Sequence, residues 1–204
     1  MTNNVPNKIT AGRLMLAVVF FILVSYEKTD TLLGIKTLLW ADIVFVVACV
    51  TDFLDGYLAR KLNQETAFGR IADPFCDKVI VCGGFVLMAG RSDFIQPWMV
   101  VLLISREFLV SSIRGYAESQ GIAFEAEMVG KVKAVMQMIA VGCAVWFHAY
   151  DRILFFPETF SRWLCYTAVY LALSMTVFSG ITYIIKARKA FASPEEDDTD
   201  APTP

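Results

Sequence analysis

Charge is scarce in this chain. Of its 204 residues only 19% are Asp, Glu, Lys or Arg, against 56% hydrophobic, and the mean hydropathy is +0.55. A water-soluble domain of ordinary surface needs more charge than this, so that class is excluded. Histidine is nearly absent, with His148 the one copy. The five cysteines (Cys49, Cys76, Cys82, Cys143, Cys165) are odd in number, scattered through apolar segments and without CxxC spacing. Neither a disulfide framework nor a zinc centre fits that pattern. No internal repeat and no nucleic-acid signature is visible. The opening stretch lacks the small-residue cleavage site of a signal peptide, so the apolar run from about Leu14 to Ser25 is expected to be a retained span.

What the chain does have is apolar length. A bilayer-spanning helix takes about 20 mostly apolar residues. The pattern predicts an all-α integral membrane protein with six transmembrane helices. A short N-terminal amphipathic segment, containing Asn3, Asn4, Pro6 and Asn7 and capped at Thr10, precedes the first. The later spans are expected at about Lys36–Leu58, Ala72–Ala89, Pro97–Ala117, Gly130–Ala149 and Trp163–Ile185. Pro74 is placed in a first turn, where a missing N–H is tolerated. Residues 1–190 form one catalytic domain, and 191–204, SPEEDDTDAPTP and its approach, read as a disordered acidic tail.

With both termini on one side, thirteen of the eighteen Lys and Arg (8, 13, 60, 61, 70, 78, 106, 114, 131, 133, 186, 188, 189) fall toward that side, and five (28, 36, 91, 152, 162) toward the other. The positive-inside rule makes the first side cytoplasmic. Trp40, Trp98, Trp146 and Trp163 then mark an aromatic belt at the opposite interface, where His148 also lies as an interface residue.

Against this background residues 51–79 stand out, because four acids interrupt the apolar pattern: Asp52, Asp55, Asp73 and Asp77. At about 100° per residue, Asp52, Asp55, Gly56 and Ala59 share one helix stripe, two acids beside two residues almost without side chains. Asp73 and Asp77, four apart and introduced by Gly69, share a face of the next helix. Such acids in a low-dielectric setting repel and protonate unless a cation binds between them. An all-oxygen set without His or Cys suits magnesium, manganese or calcium. Two acids per helix favour a pair of ions about 4 Å apart, the arrangement used for displacement at phosphorus. Gly56, Ala59 and Gly69 leave room for a ligand at backbone level, or simply allow tight helix packing; Arg60 offers a bidentate donor to a phosphate.

The full run Asp52, Asp55, Gly56, Ala59, Arg60, Gly69, Asp73, Asp77 resembles the signature of the CDP-alcohol phosphatidyltransferase family at all eight fixed positions, over 26 residues. The resemblance implies that family's six-helix membrane fold, a homodimer, and two divalent cations, Mg2+ or Mn2+, held by Asp52, Asp55, Asp73 and Asp77. It implies donor contacts to a CDP-linked lipid from Asp52, Gly56, Ala59, Arg60 and Gly69, and a general-base role for Asp77 toward the acceptor hydroxyl. The segments NVPNKITAGR, SREFLVSSIR and GKVKAVMQM resemble those members that take glycerol 3-phosphate as acceptor and CDP-diacylglycerol as donor. With the first of them Asn7 joins the donor contacts, its other reading being a helix cap. Ala134 departs from the threonine frequent after the Lys-x-Lys pair.

An acceptor carrying its own phosphate needs cations, and Arg106, Arg114, Lys131 and Lys133 are the candidates; their bland reading is interfacial snorkelling and topology. A multi-pass protein of the inner (plasma) membrane follows, its site cytoplasmic and its surroundings lipid, with no nucleic acid. Two readings compete. Another member of the same family would use inositol phosphate, serine or phosphatidylglycerol as acceptor. A cation transporter would also carry intramembrane carboxylates, but it needs no Gly56, Ala59, Arg60 and Gly69 at fixed offsets.

Overall fold

The structure, a computed structural model, describes residues 5–26, 31–32, 35–62, 67–121, 128–150 and 156–192, with side chains for these except 5–11, 35, 52–74, 77 and 192. Among the described residues are six α-helices: α1 (Val5–Ser25), α2 (Thr37–Leu62), α3 (Ala67–Met88), α4 (Pro97–Ser119), α5 (Met128–Tyr150) and α6 (Glu158–Ala192). A small antiparallel ribbon, β1 (Thr31–Leu32) and β2 (Ile35–Lys36), joins α1 to α2, with Thr31 opposite Lys36 and Leu32 opposite Ile35.

Local chemistry accounts for several boundaries. Pro97 opens α4 from an extended Gln96, where its fixed φ suits a helix start and its missing N–H costs nothing. Gly121, at φ +72°, follows the last turn of α4 in the left-handed conformation that glycine adopts without strain. Gly90, at φ +84°, does the same after α3, where the N–H groups of Arg91 and Ser92 both return to the Met88 carbonyl at 3.1 and 3.2 Å.

The helices run alternately up and down. At one end, the ribbon end, Arg91 donates to the carbonyls of Val24 and Ser25 at the close of α1. Lys36 donates to the Ala149 carbonyl at the close of α5, and Arg162 at the start of α6 pairs with Asp93 at 3.0 Å. Phe94 stacks edge-on against Phe147 and Tyr166, with ring centres 5.5 and 5.8 Å away. Trp40, Trp98, Trp146 and Trp163 all sit toward this end. At the other end Arg114 of α4 meets Tyr183 of α6, and Tyr116 meets Phe191, ring centres 5.3 Å apart.

Between the ends lies an apolar core in which α5 packs most extensively on α6, and α1 lies across both α2 and α3. Small buried residues allow the close approach: Ala140 and Ala144 on α5, Cys165 and Ala172 on α6. Large apolar side chains point outward, among them Val101 and Phe108 on α4, Val135 on α5 and Phe178 on α6. A surface of that kind belongs against lipid or another protein. Among the described residues two helices are long and apolar enough to cross a membrane, Met128–Tyr150 and Glu158–Phe191, and only a third of each apolar window is buried. Gly12–Ser25, Thr37–Thr51 and Lys78–Met88 are shorter apolar stretches.

Three boundaries differ from the sequence reading. The amphipathic opening is no separate segment: α1 is continuous from Val5, so Thr10 lies inside the helix and not at its start. Helix α3 begins at Ala67, which puts Gly69 on the helix and Pro74 well past its first turn, where the ring removes the N–H that would bond the Arg70 carbonyl. Helix α6 continues beyond Ile185 to Ala192 because the basic run 186–189 is helix-forming; the acidic tail after it lies outside the described residues.

Candidate active site

Asp52, Asp55, Gly56, Ala59 and Arg60 occupy the second half of α2, and Gly69, Asp73 and Asp77 the first half of α3. Their side chains lie outside the described residues, so what the fold establishes is placement. Both pairs sit on the halves of α2 and α3 nearest each other in sequence, away from the ribbon end. Thr51, just before Asp52, lines an open apolar groove with Gly12, Arg13, Met15, Leu16 and Val19 of α1. That contact sets the first half of α1, which carries Asn7, beside the second half of α2. Cys76, between Asp73 and Asp77 in sequence, is buried. An all-carboxylate donor set on two consecutive helices fits hard divalent cations and not zinc. Among the described residues there is no further group of three His, Cys, Asp or Glu able to hold a metal.

The residue after Asp77 carries the description onward. Lys78 donates to Ser111 Oγ on α4, and Ser111 Oγ in turn donates to the Glu107 backbone carbonyl at 2.7 Å. One turn along the same face, the buried Glu107 carboxylate takes two cations on one oxygen: Arg106 Nη1 at 2.9 Å and Lys133 Nζ from α5. Arg106 also donates through Nη2 to Ser179 Oγ of α6 at 2.5 Å. Behind it Gln137 donates to Thr176 Oγ1 at 2.9 Å, and the Thr176 hydroxyl donates to the Ala172 carbonyl at 2.6 Å. Nearer the end of the bundle, Arg114 donates twice to Tyr183. Helices α3, α4, α5 and α6 thus share a polar seam that starts one residue from the second aspartate pair.

Of the four cations proposed for the acceptor, the seam holds Arg106 and Lys133 directly and Arg114 toward its open end. Lys131 is exposed. Two residues along a helix amount to about 200°, so Lys131 faces away from Lys133. Five groups of the seam were not read as site residues from the sequence: Lys78, Glu107, Ser111, Ser179 and Tyr183. Lys78 could have been found from its place directly after Asp77. Ser179 and Tyr183 had no signal, because a serine and a tyrosine in a long apolar helix are ordinary. Among the described residues Asp42, near the ribbon end of α2, is the other buried acid besides Glu107, and its Oδ1 has no hydrogen-bond partner among them.

A profile of the CDP-alcohol phosphatidyltransferase family matches residues 3–182. Among curated proteins the chain is 35% identical over 190 residues to the CDP-diacylglycerol–glycerol-3-phosphate 3-phosphatidyltransferase of Bacillus subtilis, covering 90% of this chain and 94% of that one. It is 30% identical to the protein of the same name from Rickettsia felis, over 92% of this chain and 97% of the relative. The corresponding Pectobacterium atrosepticum protein is 32% identical, with coverage of 95% and 100%. A profile match running from α1 into α6, over a chain whose two aspartate pairs keep the family spacing on consecutive helices, leaves one assignment: the chain belongs to the CDP-alcohol phosphatidyltransferase family.

Proposed function

We propose that the chain transfers the phosphatidyl group of CDP-diacylglycerol to glycerol 3-phosphate, giving phosphatidylglycerophosphate and CMP, the first committed step toward phosphatidylglycerol and cardiolipin. The observation that carries this reading is the seam of Lys78, Arg106 and Lys133, cations in excess over Glu107, the one carboxylate among the described residues there, running from beside Asp77 into the α4–α6 packing. Cations in excess, buried at Lys133 and half-buried at Lys78 and Arg106, suit an anionic ligand, and a phosphate-bearing alcohol is one. The curated relatives in Bacillus, Rickettsia and Pectobacterium carry the name of this reaction.

Asp52, Asp55, Asp73 and Asp77 would hold two divalent cations, Mg2+ or Mn2+, which when bound supply charge neutralisation for the diphosphate and its leaving oxygen. Asn7, Gly56, Ala59, Arg60 and Gly69 receive the CDP moiety, the small residues by leaving backbone-level space and Arg60 by paired N–H groups. Arg106, Arg114 and Lys133 orient the acceptor phosphate, with Lys131 at the rim. Asp77 accepts the proton of the acceptor hydroxyl as that oxygen bonds to the phosphatidyl phosphorus; the bond to the cytidylyl oxygen breaks and CMP departs.

The same reading makes the protein a six-span homodimer of the inner (plasma) membrane, bathed in membrane lipid, with termini and site cytoplasmic. Outward-facing apolar residues on α4, α5 and α6 support the lipid setting. So does the placement of Lys36, Arg91 and Arg162 at the ribbon end and of Arg60, Arg70, Arg114 and Lys131 at the other. The test is CMP release from CDP-diacylglycerol with glycerol 3-phosphate, inositol phosphate, serine and phosphatidylglycerol offered in turn. Release with glycerol 3-phosphate alone is expected; release only with another alcohol overturns the acceptor.

A further inference from the structure

We infer that Glu107 is a positioning residue for the acceptor: its carboxylate holds Arg106 and Lys133 together so that both are in place when the acceptor phosphate arrives. The inference rests on the phosphorylated-acceptor reading above and adds to it a residue of the opposite charge, which recognition of an anion does not by itself call for.

Three observations carry it. First, Glu107 is buried, and one oxygen, Oε1, takes both Arg106 Nη1 and Lys133 Nζ. Two cations from different helices are thereby drawn to one point despite their mutual repulsion. Second, the neighbouring contacts fix where that point is. Ser111 Oγ donates to the Glu107 carbonyl while receiving Lys78, and Ser179 Oγ receives the second guanidinium nitrogen of Arg106. The Arg106 side chain is thus held from α4 and α6 at once. Third, with these contacts made, Arg106 Nε is buried and has no hydrogen-bond partner among the described residues. The Arg106 side chain is 10% exposed. A buried donor of this kind is costly to leave unmade, and it is the group an acceptor phosphate oxygen would satisfy.

The physical role is specific. Without Glu107 the two cations have no compensating charge in a water-poor seam, and each gains by turning toward the open end and its water. The phosphate then meets cations it must first collect. With Glu107 that reorganisation has already happened, so acceptor affinity should fall on its loss while donor affinity should not.

The experiment uses the full chain in lipid vesicles with CDP-diacylglycerol and Mg2+, reading CMP release. The wild type is first run against each acceptor alcohol, and the variants are compared on whichever phosphorylated acceptor it uses. A wrong acceptor therefore shows in the wild type, and a wrong role for Glu107 in the variants. Glu107→Gln is expected to raise KM for the acceptor by about tenfold or more, with KM for the donor changed by less than about twofold. Glu107→Asp should fall between the two. Adding Lys133→Met to Glu107→Gln should raise the acceptor KM by clearly less than the product of the two single effects, because Glu107 acts in part through that lysine. The double variant also removes one of the two uncompensated charges, so it and Glu107→Asp keep the test open if Glu107→Gln does not fold. Equal changes in both KM values, fully multiplicative effects in the double variant, or a wild type that accepts only unphosphorylated alcohols would overturn the inference.

Discussion

Arg114 donates to a single oxygen, the Tyr183 hydroxyl, through both Nε and Nη2, at 3.2 and 3.1 Å. Its guanidinium carbon stands 5.8 Å from the centre of the same ring. The contact joins α4 to α6 at the end of the bundle that carries the aspartates, and it holds the guanidinium of a proposed acceptor ligand. Tyr183→Phe keeps the ring and deletes the oxygen. It should raise the acceptor KM several-fold and lower stability by about 1–2 kcal/mol, measured by thermal unfolding in detergent. An unchanged acceptor KM would remove Arg114 from the acceptor site.

Asp77→Asn keeps the shape of the side chain and removes its capacity to take a proton. Turnover should drop by about a hundredfold or more, while binding of the CDP-linked donor, followed by equilibrium dialysis with a labelled nucleotide, should persist. Near-normal turnover would end the general-base assignment.

The two lysines of α5 give a paired comparison. Lys133 is buried against Glu107, and Lys131 is exposed on the other side of the helix. Lys133→Ala should therefore raise the acceptor KM by about tenfold, and Lys131→Ala by less than about threefold. Similar effects from both would mean that the site reaches around α5.

Gly84 tests packing apart from chemistry. A Cβ there would meet Val141 Cγ1 at 2.6 Å and Phe20 at 3.5 Å, at the point where α3 lies against α5 and α1. Gly84→Ala should lower stability by about 1–3 kcal/mol and leave the ratio of donor to acceptor KM unchanged. A selective change in acceptor KM would indicate that the seam is less rigid than its contacts imply.

Chelation probes the aspartate set as a whole. EDTA should abolish CMP release, and Mg2+ or Mn2+ should restore it in the wild type but not in Asp73→Asn. Full activity in EDTA would remove the metal role from all four acids.

The periodic and local features were legible without coordinates. The aspartate pairs are a matter of spacing along single helices, and the six helical segments and the start of α4 at Pro97 each depend on residues a few positions apart. Pro74 misled for the same reason: a proline read locally marks a first turn, yet α3 runs back to Ala67.

What the amino-acid order determined by itself is the family signature and the all-helical character, because each is written in short-range periodicity and composition. Only the tertiary structure decided which charges meet. Arg106 reaches Ser179, Arg114 reaches Tyr183, and Glu107 binds Lys133 while Lys131 turns outward. These depend on the rotation of each helix about its axis and on which neighbour it packs against. Those are decided by how α4, α5 and α6 pack on one another, with the small buried Ala140, Ala144, Cys165 and Ala172 leaving room for close approach.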